Sequence, residues 1–208
     1  MTLERSEVPP IYALTRVNGC AADVEMLVRA GARWIQVRDK ISPDAALYAE
    51  LLRAREAAAG DVRLFVNDRV DLAIASGADG VHLGDSDLDP RHARVVAGAR
   101  PLIIGYSTHN AEEAISAASR PEVDYVAIGP VFSSPTKNVR APLGLDVVRA
   151  VRNRVEKPIV AIGGIDSGNI ADVLAAGADS AAVISALYSG GDVAENFATL
   201  LRSAESRR

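Results

Sequence analysis

Short apolar runs rich in Val and Ile alternate with amphipathic, Ala-rich segments along the whole chain, and no other feature constrains the fold as tightly. The alternation predicts βα units arranged around a parallel sheet. Eight strands are expected, over Ile11–Thr15, Trp34–Arg38, Arg63–Asn67, Gly80–Leu83, Leu102–Ser107, Tyr125–Pro130, Pro158–Ile162 and Ser180–Ile184. Helices are expected between them, such as Ala45–Ala59, where Leu47, Leu51 and Leu52 recur at helical spacing, and Leu145–Val155, with Val147, Val148 and Val151.

A degenerate repeat supports this organisation. Ala30-Gly31-Ala32-Arg33, Ser76-Gly77-Ala78-Asp79 and Ala176-Gly177-Ala178-Asp179 each end a helical pattern and precede an apolar run. The glycine supplies the left-handed residue that stops a helix and turns the chain back towards the sheet. A doubly wound sheet shares the alternation. Eight strands in 208 residues, with no Gly-x-Gly-x-x-Gly after the first, instead favour an α/β fold of the (β/α)8 TIM-barrel type.

A composition of 49% hydrophobic and 24% charged residues suits one globular domain, 1–208, with an N-terminal extension over 1–10 and a polar C-terminal tail over 203–208. Cys20 is the single cysteine, so no intramolecular disulfide can form and a reducing cytoplasm is the expected compartment. Cys20 itself reads as a loop or helix-start residue. The first ten residues are polar and acidic, unlike a signal peptide, and no run approaches the roughly 18 apolar residues of a membrane span. The net charge is −4, with Lys and Arg scattered, which gives no footprint for nucleic acid. Small-molecule anions must be held by a local site. The oligomeric state is not legible, and a homo-oligomer stays open.

In a barrel the site forms at the C-terminal strand ends, so polar residues there come first. In the second strand, alternation sends Gln36, Arg38 and Lys40 to one face, opposite Ile35 and Val37. The third and fourth strands end in Asn67-Asp68-Arg69 and His82-Leu83-Gly84-Asp85-Ser86-Asp87. Asp68 and Asp87 are a candidate pair for Mg2+, which takes one or two carboxylates plus phosphate oxygens. For Asp87 the competing role is a helix cap before Pro90. His82, inside the run, reads first as a packing or hydrogen-bonding residue. The fifth strand closes with Ser107-Thr108-His109, where His109 caps the next helix or acts in chemistry. The sixth runs into a hydroxyl-rich loop, Ser133-Ser134-Pro135-Thr136-Lys137, suited to a phosphate or pyrophosphate. Gly163-Gly164-Ile165 and Ile184-Ser185 follow the last two strands, where barrels often bind phosphate through backbone amides.

Taken in order, Gln36-Val37-Arg38-Asp39-Lys40, Asn67-Asp68, the His82–Asp87 block, Ser107-Thr108-His109, Gly129-Pro130-Val131-Phe132 through Thr136-Lys137, and Ala161–Ile165 resemble the thiamine-phosphate synthase family. The resemblance runs from Ile11 to about Leu187. It implies a transferase that joins hydroxymethylpyrimidine pyrophosphate to thiazole phosphate and releases pyrophosphate. It further implies that Gln36, Val37, Arg38, Asp39, Lys40, Asn67, Ser107 and Lys137 contact the pyrimidine pyrophosphate. Asp68 and Asp87 would hold Mg2+, while Ser134, Pro135, Thr136, Gly164, Ile184 and Ser185 would receive the thiazole phosphate. Arg38, Lys40, Ser107 and Lys137 form the implied catalytic set. Charge accumulates on a departing pyrophosphate, so cations there bind the transition state more tightly than the ground state. No side-chain nucleophile is required.

Two departures stand out. Asp85 occupies a place where the family usually has Gln, adding a negative charge beside the metal pair, and Ser-Ser-Pro-Thr-Lys replaces the more usual Pro-Thr-x-Thr-Lys. Two other functions compete. A thiazole tautomerase, close to the synthase, would use a His near the end of the fifth strand, where His109 stands. It would have little need of Asp68, Asp87, Lys40 and Lys137 together. A non-catalytic phosphate-binding barrel would be expected to lose the metal carboxylates, and both are here.

Overall fold

The computed structural model describes residues 3–16, 20–133 and 141–206. Strands and helices alternate as β1 (Ile11–Leu14), α1 (Cys20–Arg29), β2 (Trp34–Val37), α2 (Asp44–Ala57), β3 (Arg63–Asn67), α3 (Val70–Ser76), β4 (Gly80–Leu83) and α4 (Pro90–Ala97). The second half continues β5 (Ile103–Thr108), α5 (Ala111–Ala118), β6 (Tyr125–Ile128), α6 (Gly144–Arg152), β7 (Ile159–Ile162), α7 (Ile170–Ala175), β8 (Ser180–Val183), α8 (Ser185–Tyr188) and α9 (Val193–Glu205). All eight strands pair in parallel, in sequence order, and β8 returns to β1 to close the barrel. Among the described residues no helix is long and apolar enough to cross a membrane.

Every expected strand is present, and the boundaries shift for local reasons. β6 stops at Ile128 and not at Pro130: the Gly129 N–H still reaches the Thr108 carbonyl, but Pro130 has no N–H to carry the ladder further. β7 starts after Pro158 for the same reason. The predicted left-handed caps are observed, with φ of 95°, 79° and 108° at Gly31, Gly77 and Gly177. Both termini contribute buried side chains. In the N-terminal extension Leu3 and Val8 are buried against the bottom of the barrel interior. The tail assigned from 203 begins as helix, with Ala204 buried on α9.

Period-two alternation splits each strand between two cores. Outward residues such as Ile35, Val37, Leu64, Val66, Val81, Ile104, Val126 and Ile159 pack beneath the helices. Inward residues fill the barrel, where the rings of Tyr12, Trp34, Phe65 and Tyr125 lie with centroids 4.8–6.1 Å apart. That volume is available because β4 and β5 carry glycine facing inward. A Cβ on Gly80 would fall 2.5 Å from the Phe65 ring, and one on Gly105 would fall 2.0 Å from Tyr125.

The N-terminal face is tied by a device that recurs on alternate helices. Arg55 of α2, Arg94 of α4 and Arg152 of α6 pair with Asp79, Asp124 and Asp179, each the residue just before an even-numbered strand. Each carboxylate also accepts a backbone N–H from the preceding strand or its edge: Leu64, Ile104 and Ile159 respectively. Each guanidinium further donates to loop carbonyls, Ala58 and Val62 for Arg55, Leu102 and Glu122 for Arg94, Val155 and Lys157 for Arg152. Before β2 the equivalent residue is Arg33, so the device occurs three times in a fourfold pattern. Arg94→Ala leaves a carboxylate and two carbonyls without their donor, and it is expected to cost about 2–4 kcal/mol. Arg149→Ala, which removes an exposed pair with Asp146, should cost under about 0.5 kcal/mol. Urea unfolding midpoints of the two variants check the contrast.

Candidate active site

The inward position at the C-terminal end of each strand decides what the barrel mouth presents. Continuing the alternation from the aromatic layer places Gln36, Asn67, His82, Ser107 and Ile184 at those positions, one step above Trp34, Phe65, Gly80, Gly105 and Ala182. Asn67 and His82 are direct register partners on β3 and β4.

β2 stops at Val37, so Arg38 and Lys40 are carried by a turn and not by strand alternation. Asp39 forms that turn, its carboxylate accepting from the N–H groups of Ile41 and Ser42 at 2.9 and 3.0 Å. The Arg38 N–H donates to Thr15 Oγ1 on the neighbouring β1 end. Among the described residues Arg38 makes no ion pair, so its guanidinium is uncommitted. Lys40 Nζ lies 2.9 Å from Asp68 Oδ2. Val37 is buried under the helices, which confines it to backbone contacts with any ligand. Gln36 is buried too, and it commits one amide hydrogen to the Tyr12 hydroxyl, 3.0 Å away.

Asp68 takes a left-handed backbone conformation, φ 64°, the only described residue other than glycine to do so. Its N–H bonds the His82 carbonyl, so the carboxylate leaves β3 towards β4. There it meets Asp87. The Asp87 carboxyl is held by the Gly84 N–H at 2.7 Å, and the Asp87 N–H returns to the Gly84 carbonyl. The alternative role of Asp87 as a cap falls away, because Asp89 caps α4 by accepting from the Arg91 N–H. Burial pushes the Asp87 carboxyl above the ordinary carboxylate range, and the adjoining Asp68 carboxylate adds to the rise. The Gly84 N–H and Lys40 oppose it. Among the described residues no group of three or more His, Cys, Asp or Glu forms a metal cluster. A hard divalent cation would therefore take two carboxylates here and complete its shell with water or ligand oxygens, the usual habit of Mg2+. Two neighbouring carboxylates, one of them reluctant to ionise, fit that donor set.

Ser107 Oγ lies 2.8 Å from His82 Nε2, and His82 Nδ1 lies 2.9 Å from the Tyr125 hydroxyl. His82 is the hydrogen-bonding residue that its position suggested. Burial is the main cause that pushes its pKa down to about 4, so it is neutral at physiological pH. Asn67 is also buried, and its Nδ2 has no hydrogen-bond partner among the described residues. A buried amide hydrogen without a partner is costly unless a ligand completes it. His109 is tied down: its ring Nδ1 is 3.1 Å from the Gly129 carbonyl and its N–H bonds Glu113, one residue before the Asn110 cap of α5.

On the far side of the mouth, Gly163 and Gly164 have φ of 103° and 63°. A Cβ on Gly164 would come 2.4 Å from the Ser133 carbonyl, and one on Gly163 would reach Pro130 at 2.6 Å. The paired glycines thus let the β6 loop lie directly on the β7 loop, joined by Val131 and Phe132 N–H bonds to Ile162 and Gly163. Ile184 and Ser185 sit where β8 passes into the short α8. Ser134, Pro135, Thr136 and Lys137 lie outside the described residues. Tyr12, Tyr125 and Thr15 join the site through hydrogen bonds that the chain's pattern does not announce. For the two tyrosines the available signal is a polar-tipped ring on the inward parity of β1 and β6; Thr15 lies past the end of β1 on the other parity and carries no such signal.

A family described as thiamine monophosphate synthase matches residues 11–187. A thiamine-phosphate synthase of Chloroflexus aurantiacus is 43% identical over 182 residues, covering 86% of this chain and 83% of the relative. One from Gloeobacter violaceus is 46% identical over 170 residues, covering 81% of this chain, which spans 49% of that longer relative. The solved structure of thiamine phosphate pyrophosphorylase from Pyrococcus furiosus superposes with a TM-score of 0.88 at 34% identity, covering 98% of both chains. The similarity takes in every strand of the barrel, so the carboxylate pair, the Lys40 contact and the uncommitted Asn67 amide all lie within it, and the chain belongs to the thiamine monophosphate synthase family.

Proposed function

We propose that the chain is a thiamine-phosphate synthase, a transferase that joins hydroxymethylpyrimidine pyrophosphate to thiazole phosphate. The observation that carries this reading is the cluster of Asn67, Asp68, Asp87 and Lys40 at neighbouring strand ends, with a buried amide hydrogen left for a ligand. In the reaction the bond from the pyrimidine methylene to the pyrophosphate oxygen breaks and its electron pair leaves with the pyrophosphate. The thiazole nitrogen then forms the new C–N bond with its lone pair. Arg38 and Lys40, with Lys137 from the β6 loop, would bind the growing charge of the leaving group. Asn67 and Ser107 would donate to its oxygens, and the Gly164 and Ile184-Ser185 backbone with Ser134, Pro135 and Thr136 would seat the thiazole phosphate. Asp68 and Asp87 would hold Mg2+, which supplies a divalent positive charge to phosphate oxygens when bound. The remaining work of the protein is positioning, which brings two anionic substrates together in a reactive geometry. A reducing cytoplasm is the proposed compartment, on the single cysteine.

The tautomerase reading has less support, because an isomerase that handles no pyrophosphate has little need of the Asp68 and Asp87 pair beside Lys40. Incubation with both substrates and Mg2+, following pyrophosphate release with each substrate omitted in turn, tests the proposal directly. Release should require both. His109→Ala should keep most of that activity; its collapse would argue for acid–base chemistry instead.

Asp68→Asn is expected to lower turnover by at least about a hundredfold, the scale of removing one electrostatic contact in a closed site. Asp87→Asn should do the same while raising the urea midpoint of the metal-free protein at pH 7. The sign follows from the raised carboxyl: a folded pKa above the unfolded one means that ionisation opposes folding, and a neutral amide removes that opposition. Unfolding curves recorded with a chelator, beside turnover with Mg2+, separate the two effects.

A further inference from the structure

The barrel interior could be filled by hydrocarbon alone, yet two of its four aromatic rings carry hydroxyls, and these join a continuous chain of polar groups. Gln36 Nε2 lies 3.0 Å from the Tyr12 hydroxyl, which lies 3.2 Å from the Tyr125 hydroxyl. Tyr125 is 2.9 Å from His82 Nδ1, and His82 Nε2 is 2.8 Å from Ser107 Oγ. The chain runs from β2 through β1, β6 and β4 to β5, ending at a hydroxyl on the floor of the site. Tyr12 and Tyr125 are fully buried, so their hydrogens have no recourse to water.

Counting donors decides which way the chain points. The Gln36 amide nitrogen can only donate, so Tyr12 accepts there. Both hydroxyl hydrogens rotate, so the two tyrosine oxygens allow either direction across their 3.2 Å contact. Tyr125 is placed as the donor to Tyr12, and in that direction the Tyr12 hydrogen has no acceptor among the described residues. His82 Nδ1–H would then donate to Tyr125, and Ser107 would spend its hydrogen on His82 Nε2. With Tyr12 donating to Tyr125, every group is satisfied: Tyr125 donates to Nδ1, Nε2–H donates to Ser107 Oγ, and the Ser107 hydrogen is free to leave the chain. A buried hydroxyl without an acceptor is the costlier arrangement, so the second direction holds.

We propose that His82 is a positioning residue, fixed by Tyr125 as the Nε2–H tautomer, which turns the Ser107 hydroxyl outward as a donor to an anionic oxygen in the site. The proposal rests on the reading of Ser107 as a contact to the pyrophosphate leaving group. A hydroxyl oriented before the charge develops needs no reorganisation when it does. Gln36 also acquires a second role, as the origin of the chain. Gly105 is part of the same device, because its missing Cβ makes the room in which the Tyr125 ring sits.

The test combines tautomer assignment with a double-mutant cycle. The chain has three histidines, so long-range 1H–15N correlations of the 15N-labelled protein at pH 7.5 resolve them, with His82→Asn identifying its own signals. His82 should show protonated Nε2 and bare Nδ1, and Tyr125→Phe should give a mixture of tautomers. In turnover, Tyr125→Phe should lower kcat about tenfold, the weight of one hydrogen bond to a charged group, with KM within about twofold. In a Ser107→Ala background the same substitution should cost nothing further, because its effect passes through Ser107. Phe65→Leu, a barrel-packing control, should lower stability without changing the tautomer. Protonated Nδ1 in the parent protein, or additive losses in the cycle, would overturn the relay and leave the synthase reading standing. Full turnover by Ser107→Ala would overturn the proposal through the contact on which it rests.

Discussion

Eight short parallel strands can close only if their common interior is filled, and here the filling is lopsided. Tyr12, Trp34, Phe65 and Tyr125 supply the bulk, while Gly80 and Gly105 supply the gaps into which two of those rings reach. Neither half works alone: a β-carbon in place of either glycine would collide with a ring, and the glycines without the rings would leave a void that costs stability in proportion to its volume. Once this layer is seated, the period of two lifts the next inward residue of each strand to the mouth. The identity of the site residues thus follows from the packing beneath them.

The mouth itself is a compromise between stability and chemistry. Asp68 and Asp87 are brought together, and the Asp87 carboxyl pKa is raised by burial first and by repulsion from the Asp68 carboxylate second. Lys40 and the Gly84 N–H offset part of that repulsion. Arg38 and Asn67 meanwhile hold donors that the described protein does not use. Unmatched charge and unspent hydrogen bonds are what a site for two phosphorylated substrates would require of its protein, because the substrates bring the complementary groups.

The opposite face solves a different problem. Helix ends and strand starts crowd there with exposed carbonyls and N–H groups, and the three Arg–Asp pairs satisfy several at once. These pairs explain the acidic end of the Gly-Ala-Asp repeat, whose glycine stops the helix. Asp79 and Asp179 terminate that motif, yet their partners Arg55 and Arg152 sit on helices too distant in the chain for spacing to reveal.

Strand number, order and the candidate residues were legible in the chain because they depend on local patterns: alternation within a run, glycine after a helix, polar residues at a run's end. Those rules act over a few residues and survive without knowledge of neighbours. Contacts between strands were not legible. That Asp87 meets Asp68 and leaves capping to Asp89, that Gly164 serves loop packing, and that Tyr12 links Gln36 to Tyr125 all depend on barrel closure. Closure brings β1 beside β8 and sets rings from distant strands within hydrogen-bond reach, and a hydrogen bond is decided by distances that sequence order does not contain.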